Sequence, residues 1–251
     1  MKLRMGTLLV VALVQAACGS SEDGGDTSDG ADVNDGGGSG GGSGTDDSGL
    51  GGSGLGGDYC GVDPDANVGE EPSQVGDCSP ASGACGLVEC AVPEAGADHA
   101  EPCTALEYAS NPPTSGTHFS IWAAFANYQQ PVPRGFLVHS LEHGAVVLSY
   151  NCAQAEAAGL DCAELRQQLT DFFDSWAADP LCSATRHRLL VTPDPELDAP
   201  FAAAAWGHYL KGTCFDADRV TEFVEAHYGQ TYEDICNAGI DPATYPSCCG
   251  Y

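Results

Sequence analysis

The chain has 251 residues, and its 36 acidic and 8 basic side chains give a formal net charge of −28 at pH 7. A surface of this charge repels phosphate groups, which excludes DNA and RNA as partners and disfavours adsorption to anionic lipid head groups. The length suits one domain of ordinary size together with terminal segments.

Residues 1–18 are predicted to be a lipoprotein-type signal peptide. Lys2 and Arg4 precede an apolar run that is too short to cross a membrane as a permanent helix. The small residues before Cys18 resemble the bacterial lipoprotein signal, which predicts that Cys18 is lipidated. Cleavage by the ordinary signal peptidase, without a lipid, is the alternative. We therefore expect an exported protein of the bacterial cell envelope, at the outer membrane or cell surface, with the membrane as partner through the lipid anchor.

The segments that follow differ in composition. Residues 19–58 are mostly Gly, Ser and Asp, which predicts a disordered linker. Residues 59–98 are rich in Gly, Pro, Asp and Cys, which predicts a Cys-rich extension dominated by loops, and residues 99–251 are the predicted core domain. Of the 13 cysteines, those other than Cys18 are even in number and include no C-x-x-C pair. In an exported domain this predicts disulfides rather than a thiolate metal site.

The core domain is predicted to be α+β, with a mainly antiparallel sheet and two main helices. Apolar residues recur on one face of residues 162–177 and 217–228, which predicts helices capped by Asp161 and Asp216. Strands are predicted at residues 104–108, 135–138, 145–150 and 188–192. Residues 201–210 are compatible with either a helix or a strand.

Two segments contain most of the candidate site residues. Residues 111–118, N-P-P-T-S-G-T-H, include two prolines that forbid regular structure and a Ser-Gly turn that would aim His118 in a defined direction. Residues 138–144, V-H-S-L-E-H-G, contain His139 and His143. Imidazole is the commonest metal ligand, and only 7 of the residues are histidine, so this clustering indicates a site.

The second segment also matches H-x-x-E-H, the signature of inverted zinc peptidases. On a helix, His139 and His143 would reach one zinc ion and Glu142 would act as the catalytic base on bound water. On a strand the two histidines would lie about 13 Å apart and could not easily chelate one ion. The upstream prolines argue against a long helix, although a single turn ending at Gly144 is compatible.

These two segments, followed by Ala205-Trp206-Gly207-His208, resemble the bacterial family called domain of unknown function 3105, over about residues 99–228. Its members are typically exported or membrane-anchored, without an established activity. The resemblance implies a role for His99, because the family tends to have a histidine there. The family often has methionine in place of Leu197. If that methionine is a soft copper ligand, its absence weakens copper binding here.

The leading hypothesis is a cell-envelope lipoprotein that binds copper or zinc through His118, His139 and His143, with His99 as a candidate fourth ligand. Glu142 is a further ligand, an orienting residue or a catalytic base, and Tyr108 and His208 are expected to pack around the ligands. The first alternative is a non-enzymatic envelope binding or scaffold domain whose histidines only hold loops. Others are a metal-free polar site and a zinc-dependent hydrolase that uses the H-x-x-E-H segment. Whether the protein is an enzyme, and which protein or small molecule it meets, stay open.

Overall fold

The computed structural model describes residues 73–231 and 233–245. In this part of the chain, eight strands and four α-helices follow one another. In chain order these are β1 (Asp77–Pro80), β2 (Val88–Ala91), β3 (His99–Ala100), β4 (His118–Phe119), α1 (Arg134–Glu142), β5 (Val146–Tyr150), α2 (Cys152–Ala157), α3 (Cys162–Ser175), β6 (Leu189–Pro193), β7 (Phe201–Ala205), β8 (His208–Gly212) and α4 (Ala217–His227).

Six of these strands form one sheet in the order β1-β2-β8-β7-β5-β6. Every neighbouring pair is antiparallel except β5 and β6, which are parallel. The predicted α+β class with a mainly antiparallel sheet is therefore confirmed. Residues 201–210, for which helix and strand were both open, form the β7–β8 hairpin, and Gly207 supplies the positive φ of +71° that its tight turn requires.

The centre of the sheet is buried on both faces, and this explains the continuous apolar sequence of β5. Val146 and Leu148 belong to one apolar cluster, together with side chains of α3 and α4, whereas Val147 belongs to a second cluster with side chains of α1. Side chains alternate between the faces of a strand, so both faces of β5 carry apolar residues.

Both main helices begin where the sequence predicts. The Asp161 carboxylate accepts hydrogen bonds from the backbone N–H groups of Ala163 and Glu164, at 2.8 and 3.4 Å, and α3 follows. Asp216 caps α4 in the same way, through the N–H of Arg219 at 3.2 Å. A side-chain cap satisfies N–H groups that have no partner within the helix, which fixes its first turn.

Two predicted strands are wrong. Residues 135–138 lie in helix α1, and residues 104–108 run as a loop. All nine residues of α1 are buried, so its polar residues do not mark a solvent-facing side and the sequence shows no clear helical period. Pro133 directly precedes the helix, where a missing N–H costs nothing because no partner exists for it within the helix.

Four disulfides join cysteines of the described residues. They are Cys78–Cys90, Cys85–Cys214, Cys152–Cys162 and Cys182–Cys236. Cys103 is also disulfide-bonded. The prediction of disulfides is thus confirmed for these cysteines, which leaves them unavailable as thiolate ligands.

The segment expected to be dominated by loops contributes two strands to the main sheet. In its described part, residues 73–98, β1 and β2 form an antiparallel hairpin, and β2 pairs with β8. The Cys85–Cys214 bridge ties this hairpin to the end of β8. The predicted signal peptide, Cys18 and the linker lie outside the described residues. Among the residues described, no helix has the length and apolar character needed to cross a bilayer.

Candidate metal centre

A pair of two-residue strands brings two histidines of distant segments together. β3 and β4 are parallel, and His99 lies directly opposite His118 in their register. The N–H of His118 donates to the Asp98 carbonyl at 2.9 Å, and the N–H of Ser120 donates to the Ala100 carbonyl at 3.0 Å. Paired strands lie about 4.8 Å apart, and the two imidazole centroids are also 4.8 Å apart.

Helix α1 contributes the next two side chains. His139 and Glu142 are three positions apart in the sequence and therefore lie on one face of the helix. The helix packs closely on β4, because a Cβ atom at Gly135 would lie only 2.7 Å from the Phe119 ring. Glycine at this position is what allows α1 to approach the strand that carries His118.

His143 lies at the end of α1, one turn after His139: its N–H donates to the His139 carbonyl at 3.2 Å, and the two ring centroids are 4.7 Å apart. Gly144 adopts a φ of +80°, its N–H donates to the Leu141 carbonyl at 2.9 Å, and the N–H of Ala145 donates to the Ser140 carbonyl at 3.1 Å. This pair of bonds is the Schellman motif that ends many helices at glycine. His143 is thus the last residue before the turn, and the H-x-x-E-H segment forms the C-terminal end of one short helix.

The first group consists of His99, His118, His139 and Glu142, whose candidate ligand atoms all lie within 4.8 Å of one another. The Glu142 Oε2 atom is its centre. It lies 3.1 Å from His118 Nε2, 3.7 Å from His99 Nε2 and 3.8 Å from His139 Nε2. The centroids of the three imidazoles form a triangle with sides of 4.8 Å.

Backbone carbonyls orient two of the imidazoles. His118 Nδ1 donates to the Gly116 carbonyl at 2.8 Å, and His139 Nδ1 donates to the Phe119 carbonyl at 2.5 Å. A carbonyl oxygen only accepts, so in both rings Nδ1 carries a proton and Nε2 faces Glu142. Metal-binding histidines are typically fixed in this way through the nitrogen that does not bind the ion.

The spacing agrees with tetrahedral coordination. Bonds of about 2.05 Å in a regular tetrahedron place the ligand atoms about 3.3 Å apart. The three distances from Glu142 Oε2, from 3.1 to 3.8 Å, scatter around that length. All the candidate ligand atoms lie within 4.8 Å of one another, so small rotations of the imidazole rings would bring them to one ion.

The first group combines buried imidazoles with a buried carboxylate, and this combination favours binding of a cation. His118, His139 and Glu142 are buried, whereas the His99 side chain is 51% exposed. Burial lowers the pKa of His139 to about 3, so its imidazole is neutral at pH 7 and its Nε2 lone pair is free to bind a metal. A buried carboxylate surrounded by lone pairs requires a proton or a metal ion for compensation.

His143, the remaining predicted ligand, belongs to a second group. This group comprises Glu142, His143 and Glu233, again with ligand atoms within 4.8 Å of one another. His143 Nε2 lies 3.3 Å from Glu233 Oε2, and its Nδ1 is buried without a hydrogen-bond partner. Burial is the largest influence on the pKa of His143, which it lowers to about 4.

Sequence reasoning missed Glu233. It lies in an irregular segment after α4, outside the two histidine motifs. No local pattern distinguishes it from the other acidic residues of this acidic chain, and only the tertiary fold brings it to His143.

The other predicted residues surround the first group or lie apart from it. Tyr108 packs over the turn at Gly116, where a Cβ atom would lie 3.6 Å from its ring. The indole of Trp206 meets the His118 ring edge-on at 6.2 Å. His208 instead stacks on His227, with centroids 4.1 Å apart. Leu197 packs in a separate apolar cluster with Ala199 and Ala202.

Neither the curated proteins nor the solved structures include a match to this chain. The sequence does match one family, described as "Protein of unknown function (DUF3105)", over residues 99–238. This region is more than half of the chain and includes all six side chains of the two groups. The chain belongs to the DUF3105 family.

Proposed function

We propose that this protein binds a divalent transition-metal ion, zinc or copper(II), through His99, His118, His139 and Glu142. The observation that carries the proposal is the convergence of three imidazole Nε2 atoms on one buried carboxylate oxygen, at 3.1 to 3.8 Å. Three imidazoles and a carboxylate form a ligand set that suits both ions.

The hydrogen bonds of the histidines favour this function over a purely structural role. Histidines that only hold loops would use both ring nitrogens on the backbone. His118 and His139 each use Nδ1 for a backbone carbonyl and direct Nε2 to the carboxylate. A proton between His118 and Glu142 would also satisfy that pair, so a bound metal ion must compete with protons.

The donor atoms restrict the identity of the ion. The first group contains no sulfur, and every described cysteine is disulfide-bonded. Monovalent copper prefers thiolate and thioether ligands, so it suits this group poorly. The distances from Glu142 Oε2 to the imidazole nitrogens are close to the edge length of a tetrahedral site, which favours zinc. The general order of affinities of divalent metal ions favours copper(II). Both ions therefore belong in the test.

The positions of Glu142 and His143 do not fit the zinc peptidase mechanism that the H-x-x-E-H signature implies. That mechanism needs His139 and His143 as ligands and Glu142 as a free base. Here Glu142 lies among the ligands of the first group, and His143 faces Glu233. Binding of an ion is thus the better-supported function, with Glu142 as a ligand.

We also propose that the protein is exported and anchored through a lipid on Cys18. The four disulfides of the described residues support an oxidising compartment. Labelling with a fatty-acid analogue would test the anchor: the full chain should incorporate the label and Cys18→Ala should not. Equal labelling of both proteins would contradict it.

Metal titration tests the main proposal. The full chain, stripped with a chelator, would be titrated with Zn²⁺ and separately with Cu²⁺ against a chromophoric competitor. We expect His118→Asn to weaken binding of the tighter ion by more than about 100-fold, since loss of a merely supporting contact typically costs 10- to 100-fold. No measurable binding to the unmodified protein would overturn the proposal.

His208→Asn is the matched control. Like His118, His208 points Nδ1 at the carbonyl oxygen two residues earlier, at 3.2 Å from Trp206, but it lies outside both groups. The His208→Asn variant should bind both ions as the unmodified protein does. An equal loss in the two variants would show that the effect arises from folding and not from coordination.

A further inference from the structure

We infer that a second metal ion binds beside the first, held by His143 and Glu233 with the Glu142 carboxylate shared between the two ions. This inference rests on the proposed function, because Glu142 belongs to both groups. Each group alone gathers its candidate ligand atoms within 4.8 Å. Together they describe a dinuclear centre in which a carboxylate bridges the ions.

His143 is positioned as a ligand rather than as a core residue. Its ring is 2% exposed, and its Nδ1 is buried without a hydrogen-bond partner. Its other nitrogen, Nε2, lies 3.3 Å from a Glu233 oxygen. The Trp122 indole packs edge-on against the ring at 4.3 Å and restricts its rotation. A buried imidazole nitrogen without a partner is rare and costly; the nitrogen that faces the Glu233 carboxylate, and that an ion would bind, is Nε2.

Glu233 is held in place although its side chain is 49% exposed. The next residue, Asp234, pairs with the buried Arg188 guanidinium at 2.5 Å, and Cys236 is bonded to Cys182. Thr231 Oγ1 donates to the Glu142 carbonyl at 2.8 Å. This segment is therefore fixed on both sides of Glu233, which lowers the entropy cost of holding the carboxylate at an ion.

Arg188 links this segment to the end of α1. Its Nη1 donates to the His143 carbonyl at 3.0 Å as well as to Asp234. One guanidinium thus fixes the backbone of one ligand and the neighbour of another. Contacts of this kind typically orient the metal-binding residues without touching the ion.

Glu142 is placed to act as a bridge because its carboxylate belongs to both groups. In dinuclear sites the two ions lie about 3.5–4 Å apart, and carboxylates contribute one oxygen to each. The rings of His139 and His143, which would hold different ions, have centroids 4.7 Å apart. The second group supplies one nitrogen and two carboxylates, so it has fewer protein ligands than the first group and leaves positions for water. We expect the second ion to be hydrated and more weakly held.

The stoichiometry of zinc binding tests this inference. The full chain, freed of metal, would be titrated with Zn²⁺, and bound zinc would be measured by elemental analysis after gel filtration. We expect two ions per chain, one tight and one weaker. Glu233→Ala should lose the weaker ion and change the affinity of the tight ion by less than about tenfold, the lower bound for loss of a supporting contact.

Glu225→Ala is the control, since Glu225 is another exposed glutamate, in α4, outside both groups. It should retain both ions. His143→Asn should reproduce the loss seen in Glu233→Ala. One ion per chain in the unmodified protein, with no change on Glu233→Ala, would overturn the second site and leave the first intact. No bound zinc at all would overturn both.

Discussion

His118 Nε2 and Glu142 Oε2 lie 3.1 Å apart in the buried first group, although their residues belong to different secondary-structure elements. Because His118 Nδ1 donates to a carbonyl, Nε2 meets the carboxylate with either a proton or a metal ion between them. A metal ion and a shared proton therefore compete for the space between these two atoms.

Glu142→Gln should separate these two roles. The amide N–H₂ can donate to the His118 lone pair, so the metal-free protein should keep its fold and its unfolding temperature within a few degrees. The amide has no charge and is a poor ligand, so we expect zinc affinity to fall by more than about 100-fold. Calorimetric titration and thermal unfolding measure both effects. Unchanged zinc affinity would contradict the role of Glu142 as a ligand.

Gly135→Ala should disturb the first group through packing alone. The new Cβ atom would meet the Phe119 ring at 2.7 Å, and the Phe119 carbonyl orients His139. Overpacking of this kind costs about 1–3 kcal/mol in free energy of unfolding. Because the contact also displaces a carbonyl that holds a ligand, zinc affinity should fall by about 10- to 100-fold.

Gly159→Ala provides the comparison for that variant. Gly159 has a φ of +78°, and no atom lies within 4 Å of the position of its Cβ. The substitution should cost about 1 kcal/mol through backbone strain while leaving zinc affinity unchanged. If both variants weakened zinc binding equally, the effect would reflect general loss of stability.

Arg134→Met should destabilise the domain at the start of α1. The Arg134 guanidinium donates to Asp194 at 2.8 Å and to the Asn111 side chain at 2.9 Å, which ties α1 to the loop before His118. Removing one partner of a buried pair leaves an uncompensated charge and costs about 3–5 kcal/mol. Denaturant unfolding measures this cost.

Arg219→Met is its surface counterpart. Arg219 pairs with Glu222, whose side chain is exposed, so the loss should be below about 1 kcal/mol. Equal losses for the two arginines would argue against a special role of the buried Arg134 network.

The stability of the metal-free protein should decrease with acidification. Burial lowers the pKa of His139 to about 3 and that of His143 to about 4, whereas both have the usual value of 6.5 in the unfolded chain. Between pH 6.5 and about 4 the unfolded chain therefore binds protons that the folded protein does not, and the free energy of unfolding falls with pH. Thermal unfolding from pH 7.5 to pH 4 measures the slope.

Replacing both histidines by asparagine removes these two protonation differences. The double variant should therefore show a shallower dependence on pH over the same range. An identical slope in the variant and the unmodified protein would assign the acid sensitivity to other groups. The experiment requires metal-free protein, because a bound ion also dissociates as protons compete for the imidazoles.

The parts of the fold that carry a local pattern were predictable. Helices α3 and α4 have an aspartate cap and an apolar stripe, and both signals are local. Helix α1 is buried on all sides, so its polar residues mark no solvent-facing side, and the apolar residues 135–138 resemble a buried strand. Strands β3 and β4 have two residues each, too few for any period to appear.

The site was predictable in its residue types but not in its grouping. The histidine motifs indicated His118, His139 and His143, and the family resemblance added His99. The pairing of His143 with Glu233 follows from a segment far along the chain. It depends on tertiary contacts that local sequence does not encode.

The half-exposed side chain of His99 determines how an ion would enter and leave the first group. The other three side chains are buried, and His99 belongs to a strand of two residues. In the proposed site, rotation of this one imidazole would open a coordination position to solvent while the interior ligands stay fixed. A chelator would form its first bond at that position, so capture and release of the ion would proceed by ligand exchange at the surface without unfolding.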